Sequence, residues 1–308
     1  MDANIEIAQS LFKQNKYQQA IAACNQILDL DNKAIEALKL IGKSYLATRK
    51  IEESRIYFNK VLNIEHDNYE VLKDLGNTYQ AVGDFNTAKN YYQKALAINS
   101  SYAAALTNLG NIELSIGDKK EALSLLIKAT EYDTQLAPAW SNLANCYMQL
   151  GKTQKAEISC RKSIELNPNI FNSYFILANI LIEQQKLHEA EEPLRKAIEL
   201  KPDLAEAHSN LGGILINLGK LKEAELSTHK AIELKPDYAD AYFNLGNIQN
   251  DLGKLKEAEL STRKAIELKP DYAIAHYHLA KTLNDLGKLK EAELSTRKAI
   301  ELKPDYAI

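Results

Sequence analysis

Residues 239–272 have the sequence ADAYFNLGNIQNDLGKLKEAELSTRKAIELKPDY. In the first half, apolar and small residues recur at the three- and four-residue spacing of one helix face, which predicts a helix of about 14 residues. Gly253 is suited to end that helix, because glycine readily adopts the left-handed conformation of a C-cap. The second half predicts another helix from about Leu255 to Leu268, and Pro270 blocks its continuation. We also expect Asp271 to help cap the following helix. The segment is therefore predicted to be a helical hairpin.

This pattern recurs every 34 residues without insertion or deletion. Such a period predicts a solenoid in which each repeat packs only against its neighbours. We therefore predict a single array over residues 1–308, in which residues 307–308 begin a tenth repeat. The nine full repeats are placed at residues 1–34, 35–68, 69–102, 103–136, 137–170, 171–204, 205–238, 239–272 and 273–306.

Small residues at two repeat positions predict close packing within each hairpin. Position 8 is always Gly or Ala, and position 20 is always Ala or Ser. We expect these two positions to face each other, so that a larger side chain would cost roughly 1–3 kcal/mol in overpacking. Position 15, after the first helix, is glycine in six repeats and Asn15, Arg49 or Gln185 in the others.

Two irregularities predict local weakness. Pro193 falls in the middle of a predicted helix, where it removes a backbone hydrogen bond, so we expect a kink. Position 24 is Phe58 and Tyr92 in early repeats but threonine in the last three. We expect lower local stability in those last repeats, because threonine fills a packing slot less well than an aromatic ring.

The pattern as a whole resembles the tetratricopeptide repeat family. The resemblance rests on a bulky position 4, an aliphatic position 7, a small position 8, tyrosine at position 11, a small position 20 and proline at position 32. It implies an all-α fold, a right-handed superhelical solenoid of antiparallel helix hairpins. In this family the first helices line the concave surface, at positions 2, 5, 6, 9, 12 and 13.

Composition limits the classes of partner. The net charge is −3 and no basic region stands out, which argues against nucleic acid or an anionic membrane as partner. Three cysteines, Cys24, Cys146 and Cys160, are too few for a disulfide framework and suit a reducing compartment. The N-terminus has no signal-peptide pattern, and no apolar run is long enough to span a membrane. We expect a cytoplasmic protein.

Asparagines recur at concave positions 6 and 9. Asparagine is a poor residue for a helix interior, but its amide both donates and accepts hydrogen bonds, so a row of amides suits an extended peptide backbone. Aromatic residues on the same surface are expected to anchor a ligand side chain. The predicted peptide-binding residues are Asn77, Asn108, Asn111, Asn142, Asn145, Asn179, Asn210, Asn244, Asn247, Phe175, Phe243 and Tyr277. The alternative is that these asparagines only cap turns or solvate the groove.

Two family features can be compared with the asparagine series. The position 6 series resembles the asparagine ladder in the repeat arm of O-GlcNAc transferases and their bacterial relatives, where it holds extended polypeptide. Here Ile176 and His278 interrupt the ladder. Lys73, Asn77 and Asn108 occupy three of the five places of a carboxylate clamp, but its second basic pair is missing, so no clamp is expected.

No catalytic or metal-binding pattern is present. His208 and His276 fall at the bulky position 4 and are expected to pack, as are Cys146 and Cys160, with a shared metal or disulfide as a minor alternative. Motifs for phosphate loops, zinc hydrolases or nucleophile elbows are missing. We therefore predict no enzyme activity, no cofactor and no metal.

The sequence predicts a scaffold that binds an extended peptide or a partner helix in its concave groove. The alternative is the recognition arm of a larger bacterial enzyme, either an O-GlcNAc-transferase-like glycosyltransferase or a sulfotransferase, methyltransferase or oxygenase, with its catalytic domain beyond Ile308. A third expectation is self-association through the C-terminal repeat, which lacks a polar capping helix.

Overall fold

A computed structural model describes residues 2–307, which contain eighteen α-helices and no strand. The helices alternate between a first and a second helix of each repeat. The first helices are α1 (Asp2–Lys13), α3 (Ile35–Ala47), α5 (Tyr69–Gln80), α7 (Ala103–Ile116), α9 (Ala137–Gln149), α11 (Phe171–Glu183), α13 (Ala205–Asn217), α15 (Ala239–Asp251) and α17 (Ala273–Asp285). The second helices are α2 (Tyr17–Leu30), α4 (Ile51–Ile64), α6 (Phe85–Ile98), α8 (Lys119–Tyr132), α10 (Thr153–Leu166), α12 (Leu187–Leu200), α14 (Leu221–Leu234), α16 (Leu255–Leu268) and α18 (Leu289–Leu302). A short 3-10 helix follows at Pro304–Ala307.

The helices form two compact units, Met1–Leu150 and Gly151–Ile308. Within each unit, helices packed against their chain neighbours form hairpins, and several first helices of successive repeats also contact each other. In the first unit these contacts join α1, α3 and α5, and α7 with α9; in the second they join α13, α15 and α17. The first helices therefore form one side of each unit, here called the first-helix surface. The prediction of one array over the whole chain stays a prediction.

The helix bounds in residues 239–272 confirm the sequence prediction, and the backbone at position 15 explains them. This position has a positive φ in all nine repeats. Six are glycines, such as Gly253 at φ 74°, while Asn15, Arg49 and Gln185 adopt φ 59°, 60° and 60°. A side chain in the left-handed region is strained. The geometry of the hairpin thus imposes a left-handed backbone on three residues whose side chains disfavour it.

The expected cap by Asp271 is wrong. The N-cap of α17 is Tyr272, and it makes no side-chain capping bond. Instead, the side chain at position 4 of the first helix hydrogen-bonds to a backbone carbonyl of the preceding turn. Trp140 Nε1 donates to the Thr134 carbonyl at 3.0 Å, and the Nε2 atoms of His208 and His276 lie 3.0 Å from the Pro202 and Pro270 carbonyls. These two histidines are half-buried and hydrogen-bonded, so they bind the turn as well as pack.

The expected contact between positions 8 and 20 is present, since Ser54 Oγ donates to the Gly42 carbonyl at 2.8 Å, but the side chain at position 24 lies closer to position 8. A Cβ atom on Gly42 would lie 2.6 Å from Cε1 of Phe58, which is position 24 of the same repeat. A Cβ atom on Gly110 would lie 2.8 Å from Cγ of Leu126, while Ala122 at position 20 contributes only its carbonyl, at 3.4 Å. Position 8 therefore leaves room for the side chain at position 24, because that side chain points back along its helix toward the first helix.

The predicted weak points fall inside regular helices. Pro193 lies within α12, which runs uninterrupted from Leu187 to Leu200, and the kink stays a prediction. Thr228 and Thr262 are buried at position 24. The Thr262 hydroxyl donates to the Ala258 carbonyl at 2.8 Å, whereas the buried Thr228 hydroxyl has no hydrogen-bond partner among the described residues. The lower stability expected of these repeats also stays a prediction.

Candidate functional site

Four of the predicted asparagines form two hydrogen-bonded pairs. Asn108 Nδ2 donates to Asn77 Oδ1 at 2.7 Å, and Asn210 Nδ2 donates to Asn179 Oδ1 at 2.8 Å. In both pairs, position 6 of one repeat donates to position 9 of the preceding repeat. The bonds join α5 to α7 and α11 to α13. These amides therefore connect neighbouring first helices.

Asn77 is the most fully bonded of the predicted residues. Its Oδ1 also accepts from the Tyr92 hydroxyl at 2.8 Å, and its Nδ2 lies 3.4 Å from Asp74 Oδ1. The Tyr92 hydroxyl also lies 2.6 Å from Gln80 Oε1. Burial raises the pKa of Tyr92 well above its ordinary value, so the hydroxyl keeps its proton and can donate. Asn77 thus links two helices of its own repeat and the first helix of the next.

Four other predicted asparagines have side-chain amides that form no hydrogen bond among the described residues. Asn111 and Asn142 occupy the same two repeat positions as the bonded pairs, yet their amides make no hydrogen bond to any residue in 2–307. The amides of Asn145 and Asn247 are likewise unbonded within this range. All four are half-buried on first helices. Their donors and acceptors are available to a ligand.

Asn244 shows how the preceding repeat decides the role of a position 6 asparagine. Its expected partner position is Gly213, which has no side chain. Asn244 Nδ2 instead donates to the Ser209 carbonyl at 3.0 Å and lies 3.3 Å from Ser209 Oγ. Because Gly213 replaces an asparagine, the surface between α13 and α15 is left open.

A cavity of about 510 Å³ lies there in the second unit, lined mainly by α13, α15 and α17. It includes Asn210, Asn244, Asn247 and Phe243 from the predicted set. Sequence reasoning missed most of the other polar lining residues, although the inner repeat positions could have identified several of them. The other polar lining residues are Gln185, Ser209, Asn217, Asp240, Asn250, Asp251, His278 and Lys281. Asp240, Asp251 and Lys281 make no ion pair with any residue in 151–307.

The three predicted aromatic anchors are not brought together. Phe243 is only 9% exposed, with its ring centroid 5.2 Å from Tyr272 and 5.0 Å from His278, so the expectation of an exposed anchor is wrong. Its neighbouring repeat covers it. Tyr277 is 46% exposed but lines a separate depression, and Phe175 is half-buried away from the cavity. Burial, together with the nearby Lys281, lowers the pKa of His278, so its ring is neutral at pH 7 and suits this apolar contact.

The charged residues of α3 and α5 in the first unit are mutually paired. Lys73 Nζ lies 2.5 Å from one carboxylate oxygen of the buried Asp74, and Lys43 Nζ lies 3.6 Å from the other. Lys39 binds Glu70 at 2.6 Å, and this hydrogen bond lowers the pKa of Glu70. Lys73, Asn77 and Asn108 therefore all have internal partners.

All three cysteines are buried, and burial raises the pKa of Cys24 to about 11 and of Cys160 to about 12. Both thiols are therefore protonated at neutral pH and unsuited to nucleophilic chemistry. Within residues 2–307, no group of three His, Cys, Asp or Glu side chains is placed to hold a metal ion. None of the helices in this range has the length and apolar character needed to cross a membrane.

Comparison with protein families identifies the chain. A family model described as "Cilia and flagella-associated protein 70 C-terminal domain", a tetratricopeptide-repeat domain, matches residues 6–286. A second model, "Tetratricopeptide repeat", matches residues 273–306. The chain belongs to this tetratricopeptide-repeat family. Its fold class is therefore the predicted one, an all-α array of antiparallel helix hairpins.

Solved tetratricopeptide-repeat structures resemble this one. A chain of the APC/C hetero-tetramer Cut9–Hcn1 has 17% identity and a TM-score of 0.73 over 92% of this chain, which spans only 56% of that chain. PilF of Pseudomonas aeruginosa has 21% identity and a TM-score of 0.61, covering 68% of this chain and 96% of PilF. YrrB, described as "a TPR protein with an unusual peptide-binding site", has 27% identity and a TM-score of 0.51, covering 60% and 95%. No curated protein matches the sequence.

Proposed function

We propose that this tetratricopeptide-repeat protein is a non-enzymatic scaffold that binds an extended peptide on the first-helix surface of its second unit. The cavity between α13, α15 and α17 is the observation that carries the proposal. It is large enough for several peptide residues, and it is lined by amides that suit a backbone. Repeat arrays of this kind typically use such surfaces for protein binding.

Asn247 and Asn250 are the residues we assign to backbone recognition. Both lie on α15 and line the cavity, and neither amide bonds to another residue in 151–307. Each can donate to a peptide carbonyl and accept from a peptide N–H. The likeness to YrrB, with its unusual peptide-binding site, supports a peptide as the ligand class.

Peptides selected from a random displayed library against the full chain provide the test. We expect Asn247→Ala with Asn250→Ala to weaken binding of the selected peptides by about tenfold or more, since two hydrogen-bonding groups are removed. N-methylation of alternate peptide amides should weaken binding comparably. The control is Asn90→Ala, an exposed asparagine on a second helix of the other unit.

Selected peptides whose affinity is unchanged by the Asn247 and Asn250 substitutions would refute the assignment. Binding that survives N-methylation would show that side chains, rather than the backbone, are recognised. Neither the fold nor the comparisons favours the alternative of an enzyme arm, which stays a prediction.

A further inference from the structure

The second helices of the last three repeats carry a row of exposed leucines. Leu226, Leu260 and Leu294 are 73%, 69% and 68% exposed. They occupy the same repeat position on α14, α16 and α18. A single exposed leucine is common on a soluble protein, but three in register on neighbouring helices form a continuous apolar row.

Ion pairs show that these three helices lie side by side. Lys254 on the turn before α16 lies 3.6 Å from Glu225 of α14. Arg263 of α16 reaches Glu291 of α18 at 2.5 Å. Neighbouring helices are typically on the order of 10 Å apart, which sets the scale of the separation between successive leucines.

A row of uncompensated positive charge borders the leucines. One turn before each leucine stands a lysine, and the three are Lys222, Lys256 and Lys290. All three are exposed, and no carboxylate within residues 151–307 lies within ion-pair distance of them. The lysines on the other side of the row, by contrast, each bind a glutamate three residues later, as Lys264 binds Glu267 at 2.7 Å.

Nearby acidic residues compensate little of this charge. Along α14, α16 and α18, the glutamates are paired with lysine or arginine except Glu257. Glu257 lacks a partner because His229 stands where Arg195 and Arg263 bridge to the next helix in other repeats. The three helices therefore carry three unpaired lysines and one unpaired glutamate.

From this juxtaposition we propose that the leucine row and its lysine border bind an acidic amphipathic helix of a partner protein. A helix advances about 10.5 Å in seven residues, which are two turns, so its apolar residues at every seventh position meet successive leucines on one face. An extended strand covers about the same distance in three residues, but an odd spacing turns its side chains to opposite faces. The unpaired lysines require carboxylates along one edge of that helix.

Other repeats supply a substitution that the fold accepts. The leucine position is Ser124 in the fourth repeat and Glu192 in the sixth, both on well-formed second helices. Serine at this position therefore leaves the hairpin intact. A triple variant Leu226→Ser, Leu260→Ser and Leu294→Ser removes the apolar row alone.

The experiment uses the full chain and a synthetic helical peptide of about three heptads, with leucine at every seventh position and glutamate along one edge. Fluorescence anisotropy should show that this peptide binds about tenfold or more tightly than a matched peptide with lysine in place of glutamate, and that salt weakens the binding. The triple serine variant should weaken binding about tenfold or more, as should Lys222→Gln, Lys256→Gln and Lys290→Gln together. Glutamine in place of both members of the pairs Lys230–Glu233, Lys264–Glu267 and Lys298–Glu301 keeps the net charge, so it is the control and should leave the affinity unchanged.

Equal binding of the two peptides, or binding unaffected by the triple serine change in a variant with unchanged circular dichroism, would overturn the proposal. Two further outcomes would also overturn the proposal, because each would identify a different occupant of the leucine row. One is concentration-dependent dimerisation that the serine variant abolishes, which would identify a second copy of the chain. The other is binding to phosphatidylserine vesicles without binding to the peptide.

Discussion

At the residue scale, the asparagines of the first-helix surface have two roles: some hold neighbouring helices together, and others are available to a ligand. Asn77 and Asn111 share repeat position 9, yet Asn77 bonds to Tyr92, Asn108 and Asp74, whereas the amide of Asn111 has no partner within residues 2–307. Part of the difference lies on the second helix, where the fourth repeat has Leu126 in place of Tyr92 and so offers no hydroxyl to Asn111. An asparagine series is therefore partly structural and partly available for binding.

Asn77→Ala should lower the free energy of unfolding by about 1–3 kcal/mol, because it leaves the buried Tyr92 hydroxyl and the amide of Asn108 with fewer partners. Asn111→Ala is the matched control and should change it by less than about 0.5 kcal/mol. Urea denaturation followed by circular dichroism measures both. Equal losses in the two variants would contradict the division into structural and available amides.

The contact between positions 8 and 24 predicts a compensating pair. Gly42→Ala should destabilise the protein by about 1–3 kcal/mol, since the added methyl group collides with the Phe58 ring. Adding Phe58→Leu should recover part of that loss, because the chain itself combines Ala178 with Leu194 at these positions. A double-mutant cycle should give an interaction energy of about 0.5–3 kcal/mol in the compensating direction. Strictly additive effects would mean that the two residues do not limit each other.

At the scale of the helical element, the backbone at position 15 fixes where every first helix ends. Arg49→Gly should raise the free energy of unfolding by about 0.5–1 kcal/mol, because glycine adopts φ 60° without the steric penalty of a side chain. The reverse change, Gly117→Arg, should lower it by about 1 kcal/mol. Thermal denaturation compares the two variants. A loss of stability in the glycine variant would show that the Arg49 side chain makes a stabilising contact that outweighs the strain.

The elements were predictable from sequence because their signals are local. The bounds of α15 and α16 follow from the helical spacing, Gly253 and Pro270 within one repeat. The cap by Asp271 was not correctly predicted, since the turn is held by a side chain of the following helix, as His276 shows. The candidate site was only partly predictable, because the role of Asn244 depends on Gly213 in the preceding repeat.

At the scale of the whole molecule, each unit is built from contacts between neighbouring hairpins. The hydrophobic core is divided accordingly into local clusters, such as the one around Leu106, Leu109 and Ile112 in the first unit and the one around Leu279 and Leu283 in the second. A repeat array with local clusters transmits damage mainly between adjacent repeats. Unfolding of one unit should therefore be observable while the other stays folded.

Ala258→Glu tests this expectation. Ala258 lies on α16 at position 20 of its repeat and is completely buried, so a carboxylate there must either be desolvated or force the hairpin open. Amide hydrogen exchange should lose protection in residues 239–302 and change little in α1 to α6. Lys256→Glu, an exposed change of side chain on the same helix, is the control and should leave protection unchanged in both units. Loss of protection throughout both units in the Ala258 variant would show that the chain unfolds as one cooperative body, because damage to one hairpin would then cross every repeat interface.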